Sequence, residues 1–144
     1  MNRFLTTELI GKSSRLITNN LAQKILVSKI GITTEQWIIL QILHKGIKTQ
    51  KELGETTLKN KASINSLISN LLKLHFVNKT INKNDKRETI IEITKLGNKT
   101  RKEVLKVASK SINEILKGFS NSEIELLNSF LSRINDNIIK KKEK

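Results

Sequence analysis

Apolar residues recur through most of the chain at the three-and-four spacing of helices, and the intervals between the runs carry helix-stop and helix-start signals. Phe4, Leu5, Leu9, Leu16, Leu21, Ile25 and Leu26 predict a first helix that stops near Gly31, with Gly11 as an interior weak point. Thr33 followed by Gln36 forms a capping box for a second helix bearing Trp37, Leu40, Ile42 and Leu43, which stops before Gly46. Thr49 with Glu52 repeats the device for a short third helix ending near Thr57. Asn60 caps a fourth, whose Ile64, Leu67, Ile68, Leu71 and Leu74 lie on one face. The period then changes. Val77, Lys79 and Ile81 alternate with Asn78, Thr80 and Asn82; Lys83 to Lys86 reads as a turn; Thr89, Ile91 and Ile93 alternate again, which predicts a hairpin. A long helix resumes at Lys95 and runs to Gly118, and Ser120 with Glu123 caps a last one carrying Leu127, Phe130, Leu131, Ile134 and Ile138.

The expected fold is therefore mainly α with a small β-hairpin, in one domain spanning 1–144. Proline is absent and only six glycines occur, so no flexible linker interrupts it; Lys140 to Lys144 is expected to be a frayed basic tail. Two consecutive short helices joined by a tight turn form a helix-turn-helix, and the hairpin after it makes a wing. Long helices at both ends, 2–30 and 98–141, carry more apolar surface than one small core needs. A second copy about a two-fold axis is the simplest cover, with Leu5, Leu9, Leu127, Phe130, Leu131, Ile134 and Ile138 at the seam.

Charge sharpens the picture. The formal net charge is +14, yet 22 of the 27 basic residues are lysine beside 21 isoleucines and 15 asparagines, a usage that AT-rich coding alone would give. Placement carries more weight than the total. From Thr56 to Asn84 no acid occurs, and this window holds the whole of the fourth helix and the start of the wing. Its outer face is Lys, Ser, Asn and Ala, which suits a polyanion approached closely. There is no cysteine, so disulfides, thiolate zinc sites and thiol redox switches are excluded. His44 and His75 stand in no ligand-spaced cluster, and no nucleophile arrangement or glycine-rich phosphate loop is present, so neither an enzyme, a metal site nor a cofactor is expected. The longest apolar run, Trp37 to Leu40, is far short of the roughly 20 residues that span a bilayer, and Glu8 and Lys12 interrupt any signal-like segment; a cytoplasmic protein without a membrane partner is expected.

The block from Thr33 to Gly97 resembles the winged helix of the multiple-antibiotic-resistance regulator (MarR) family of bacterial transcription factors. The resemblance rests on Leu53 and Glu55, on Ile64, Leu67, Ile68 and Leu71, on Phe76-Val77 leading into the wing, on Asp85-x-Arg87 at its tip and on Ile93-Thr94-x-x-Gly97 leaving it. It implies a homodimeric repressor that reads a near-palindromic operator in double-stranded DNA. The fourth helix would enter the major groove, with Lys59, Asn60, Lys61, Ala62, Ser63, Asn65, Ser66, Asn70 and Lys73 at bases or phosphates, and the wing would add Lys83, Asp85, Lys86 and Arg87. Arg87 would enter the minor groove with Asp85 as its buttress. A small-molecule effector, an organic acid or phenol, would bind between the dimer helices and the winged module. Three departures stand out: His75 and the turn Thr57-Leu58-Lys59 lack the family's usual glycines, and the wing has one arginine where two are common. The competing reading is a winged-helix interaction module that binds protein or an anionic surface without reading DNA sequence.

Overall fold

The computed structural model describes residues 2–142. Its elements follow in the order α1 (Arg3–Ser28), α2 (Thr34–His44), β1 (Lys48–Thr49), α3 (Gln50–Thr57), α4 (Lys61–Lys73), β2 (Val77–Ile81), β3 (Thr89–Ile93), α5 (Lys95–Ile115) and α6 (Asn121–Lys142). Two compact units are distinguished, one reaching Ser111 and the other beginning at Ile112. Of the expected basic tail, Lys140 to Lys142 close α6, and the rest lies outside the described residues.

The expected caps form. Thr33 and Gln36 exchange both hydrogen bonds of the box at α2, and Thr49 and Glu52 do so at α3. Asn60 accepts from the Ser63 amide at 2.9 Å to start α4. Ser120 donates to Glu123 from its backbone N–H at 2.8 Å and from its hydroxyl at 2.9 Å, which holds the Glu123 carboxyl below its ordinary range. α1 runs unbroken through Gly11, capped by Asn2, so the expected weak point does not interrupt it.

Within the first unit one core gathers Ile25 of α1, Trp37, Ile39 and Leu40 of α2, Leu53 of α3, the inner stripe of α4, Val77, Ile91, and Val104 and Ala108 of α5. The expected hairpin of β2 and β3 forms, and a strand the sequence did not predict extends it. The sheet has three antiparallel strands in the order β1-β3-β2, because Lys48 and Thr49 pair with Ile91 and Ile90 on the free edge of β3. Alternation along β2 also fails to predict its burial: only Val77 is buried, while Lys79 and Ile81 are exposed as the hairpin leaves the core.

At the junction between α4, the wing and α5 the backbone segments approach closely. α4 ends in a Schellman turn, with His75 left-handed at φ 57° and the Phe76 amide reaching the Leu71 carbonyl at 3.0 Å. Thr94 ties that turn to α5. Its amide donates to the Phe76 carbonyl at 3.0 Å, its hydroxyl donates to the His75 carbonyl at 2.8 Å, and the same oxygen accepts from the Gly97 amide at 3.0 Å. A Cβ at Gly97 would stand 2.1 Å from the Phe76 oxygen, so the Thr-x-x-Gly spacing answers to a backbone approach that only glycine permits. Gly97→Ala is expected to lower stability by about 1–3 kcal/mol, read by urea denaturation, because the backbone has to move apart.

Candidate nucleic-acid interface

The amphipathic pattern of α4 buries Ile64, Leu67, Ile68 and Leu71 and thereby turns Lys61, Ala62, Asn65, Ser66, Ser69, Asn70 and Lys73 outward. No acid lies on that face. Ser63 is half-buried, its amide used by the Asn60 cap. The side chain of Asn65 accepts a hydrogen bond from Gln50, which orients its amide group beside the start of α3.

At the wing tip, Asp85 accepts from the Arg87 amide at 3.0 Å and from Arg87 Nε at 3.4 Å. The loop beneath is braced by Asn82, which donates to Glu88 at 2.9 Å and accepts from the Asn84 amide at 3.0 Å. The Arg87 side chain is nonetheless 92% exposed, so its terminal amines project freely from a fixed root. Lys83 and Lys86 are exposed on the same loop.

Between these two elements lies an open groove of about 590 Å³. It brings together Lys59, Lys61 and Asn65 from the helix-turn-helix with Arg87 from the wing. It does not include Asn60, Ala62, Ser63, Ser66, Asn70, Lys73, Lys83, Asp85 or Lys86, of which the lysines extend the exposed basic surface beyond its walls. Gln50, Lys51 and Lys79 line it too, and sequence reading did not single them out as site residues. Pairing of β1 with β3 sets the start of α3 against the wing, and a two-residue strand leaves no periodic signal by which to find it.

Lys59 occupies a different position from its neighbours. Its ammonium contacts Glu35 Oε1 at 2.7 Å, joining the α3–α4 turn to the first turn of α2. The turn itself carries backbone strain: Leu58, 88% exposed, sits left-handed at φ 56° and closes α3 without a glycine. Neither histidine joins the groove, and among the described residues no group of three metal-ligating side chains comes together.

The family model described as transcriptional regulator SarA/Rot matches residues 21–104 of the chain. Comparison with curated proteins gave no match. Several solved structures share the fold. AbsC, a MarR family transcriptional regulator from Streptomyces coelicolor, is 17% identical with a TM-score of 0.84 over 94% of this chain and 93% of its own. A mutant MarR from E. coli complexed with operator DNA is 19% identical, with a TM-score of 0.78 over 89% and 91%. BpsR of Bordetella bronchiseptica, solved in a study of regulation of its DNA binding by 6-hydroxynicotinic acid, is 18% identical, with a TM-score of 0.79 over 90% and 92%.

The strained turn gives a direct test of the local geometry. Leu58→Gly removes a Cβ from a left-handed position while exposing no core, and is expected to raise stability by about 1 kcal/mol in chemical denaturation.

Proposed function

Because the chain belongs to the SarA/Rot family of transcriptional regulators, we propose that it acts as a homodimeric repressor whose two α4 helices read successive major grooves of a near-palindromic operator. The observation that carries this reading is the pairing of an acid-free α4 face with a freely projecting Arg87 across one groove. Asn65, Ser66 and Asn70 offer amide and hydroxyl groups suited to base edges, and Lys61 and Lys73 suit phosphates. Arg87 suits a narrow minor groove, where the Asp85 contact limits the freedom of its root and the guanidinium meets concentrated negative potential.

A second copy is supported by the terminal helices taken one at a time. No residue of α6 is buried, although Leu127, Phe130, Leu131, Ile134 and Ile138 form a continuous apolar stripe along it. On α1, Leu5, Leu9, Leu16 and Val27 form an exposed row of their own, about half a turn from the buried Ile25. A dimer also gives the two reading heads a fixed separation, and linked binding then exceeds what either head achieves alone. An organic acid or phenol that favours one separation over another would release the operator. The effect of 6-hydroxynicotinic acid on BpsR provides a precedent in a protein of the same fold.

Footprinting on the promoter of the neighbouring transcription unit tests the reading as a whole; a protected near-palindrome is expected, and uniform protection without sequence preference would overturn it. Arg87→Ala is expected to weaken binding to the footprinted duplex by about 1–3 kcal/mol in fluorescence anisotropy. The melting temperature should be unchanged, since the side chain is exposed. Leu131→Asp should shift the sedimenting species from dimer to monomer and reduce operator affinity by about 100-fold or more as linked binding is lost.

A further inference from the structure

The five lysines of α5 within the first unit, Lys95, Lys99, Lys102, Lys106 and Lys110, are spaced by four, three, four and four residues and are all exposed. At about 100° per residue they form one straight row. The buried positions of the same helix, Gly97, Thr100, Arg101, Val104, Ala108 and Ser111, fall about half a turn away. The row therefore faces away from the body of the winged module, to which α5 is fastened through Trp37 Nε1 donating to the Arg101 carbonyl and Ser111 donating to Asn20.

Like charges at these spacings repel along a helix unless something neutralises them. Glu103 is the one acid within the span of the row, and it makes no ion pair; among the described residues only Lys59–Glu35 and Arg87–Asp85 do. From Lys95 to Lys110 the row rises about 22 Å, with about 5 Å between neighbours. That repeat is within reach of a line of backbone phosphates once flexible lysine stems are allowed for. No large apolar side chain is interleaved in the row, as insertion into a lipid surface would require.

We propose that this row binds a second segment of duplex DNA, distinct from the one gripped by α4 and the wing. The inference rests on the DNA-binding reading given above and extends it: the protein holds two duplex segments at once, one by its grooves and one by its backbone. Lys95 and Lys99 stand nearest the wing and are within reach of the first duplex as well. Lys102, Lys106 and Lys110 belong to the second.

The full-length chain tests this directly. A short duplex fixed to beads is saturated with protein, washed, and offered a second, fluorescently labelled duplex. The wild-type chain should retain the label. The triple variant Lys102→Gln, Lys106→Gln, Lys110→Gln, which keeps good helix formers, should retain about tenfold less or lower, with a salt dependence of capture shallower by about three phosphate contacts. Its circular dichroism and its affinity for the first duplex should match the wild type. Equal retention by the variant, or no retention by the wild type once the first duplex is bound, would overturn the proposal; equal retention would leave the row to an acidic protein surface. Failure of the wild type to bind the first duplex is a different result, since it would remove the DNA-binding reading and this inference together.

Discussion

The placement of α4 and the wing in the first unit depends on the contact between the first turn of α5 and the carbonyl of Phe76. Three hydrogen bonds through Thr94 and the missing Cβ at Gly97 bring helix, strand and helix within van der Waals distance at one point. The directions in which α4 and the wing leave that point determine where their tips stand. A groove reader needs that separation held closely, because side chains that specify bases act over hydrogen-bond distances while the charges around them act over about a Debye length of 8 Å.

The two ranges divide the labour of the surface. Lysines on α4, on the wing and in the groove, where Glu55 and Glu88 offset part of their charge, make a positive field that is insensitive to small displacements. The amides are sensitive to them. Asn65 is held by Gln50, and Gln50 is placed by β1, whose two residues dock on β3. The third strand is small, but it links the orientation of a side chain on the exposed face to the backbone of the wing. A similar fastening joins α2 to α5: Arg101, only 4% exposed, donates to Asn98 at 2.9 Å and Gln41 at 2.8 Å rather than to a carboxylate. A buried guanidinium satisfied by neutral amides is costly to disturb, which fixes the register of the two helices.

Helix boundaries were legible in the sequence because the four caps that mark them are local chemistry: Thr33 with Gln36, Thr49 with Glu52, Asn60, and Ser120 with Glu123 each act within four residues. The inner stripe of α4 was legible from its period. What escaped depends on distant partners. Pairing of Lys48 and Thr49 with β3 crosses some forty residues of chain, burial of Arg101 depends on Gln41, and the ion pair of Lys59 depends on Glu35. The two missing glycines were visible as departures, but only the backbone says what they mean: Leu58 and His75 adopt the left-handed conformation anyway. The candidate site was legible as a set of exposed residues, and its groove was not, because a groove is a relation between elements.

The last helix brings folding and assembly into one argument. Helical stability in proteins comes mostly from packing of an apolar face, and no side chain of α6 is fully buried, with Ile124 and Leu131 half-buried, so in a single copy little beyond its propensity and its Ser120 cap holds it. Full burial of a leucine, isoleucine or phenylalanine is worth about 1.5–3 kcal/mol. The stripe from Leu127 to Ile138, of which only Leu131 is half-buried, therefore represents a large favourable term that a partner surface would realise. If that partner is a second copy, as proposed above, the order of α6 depends on protein concentration. DNA then joins the same equilibrium: an operator that binds both heads favours the dimer, and the dimer favours an ordered α6. On that reading, the apolar face of a helix that never meets a base still determines how sharply operator occupancy responds to the amount of protein in the cell.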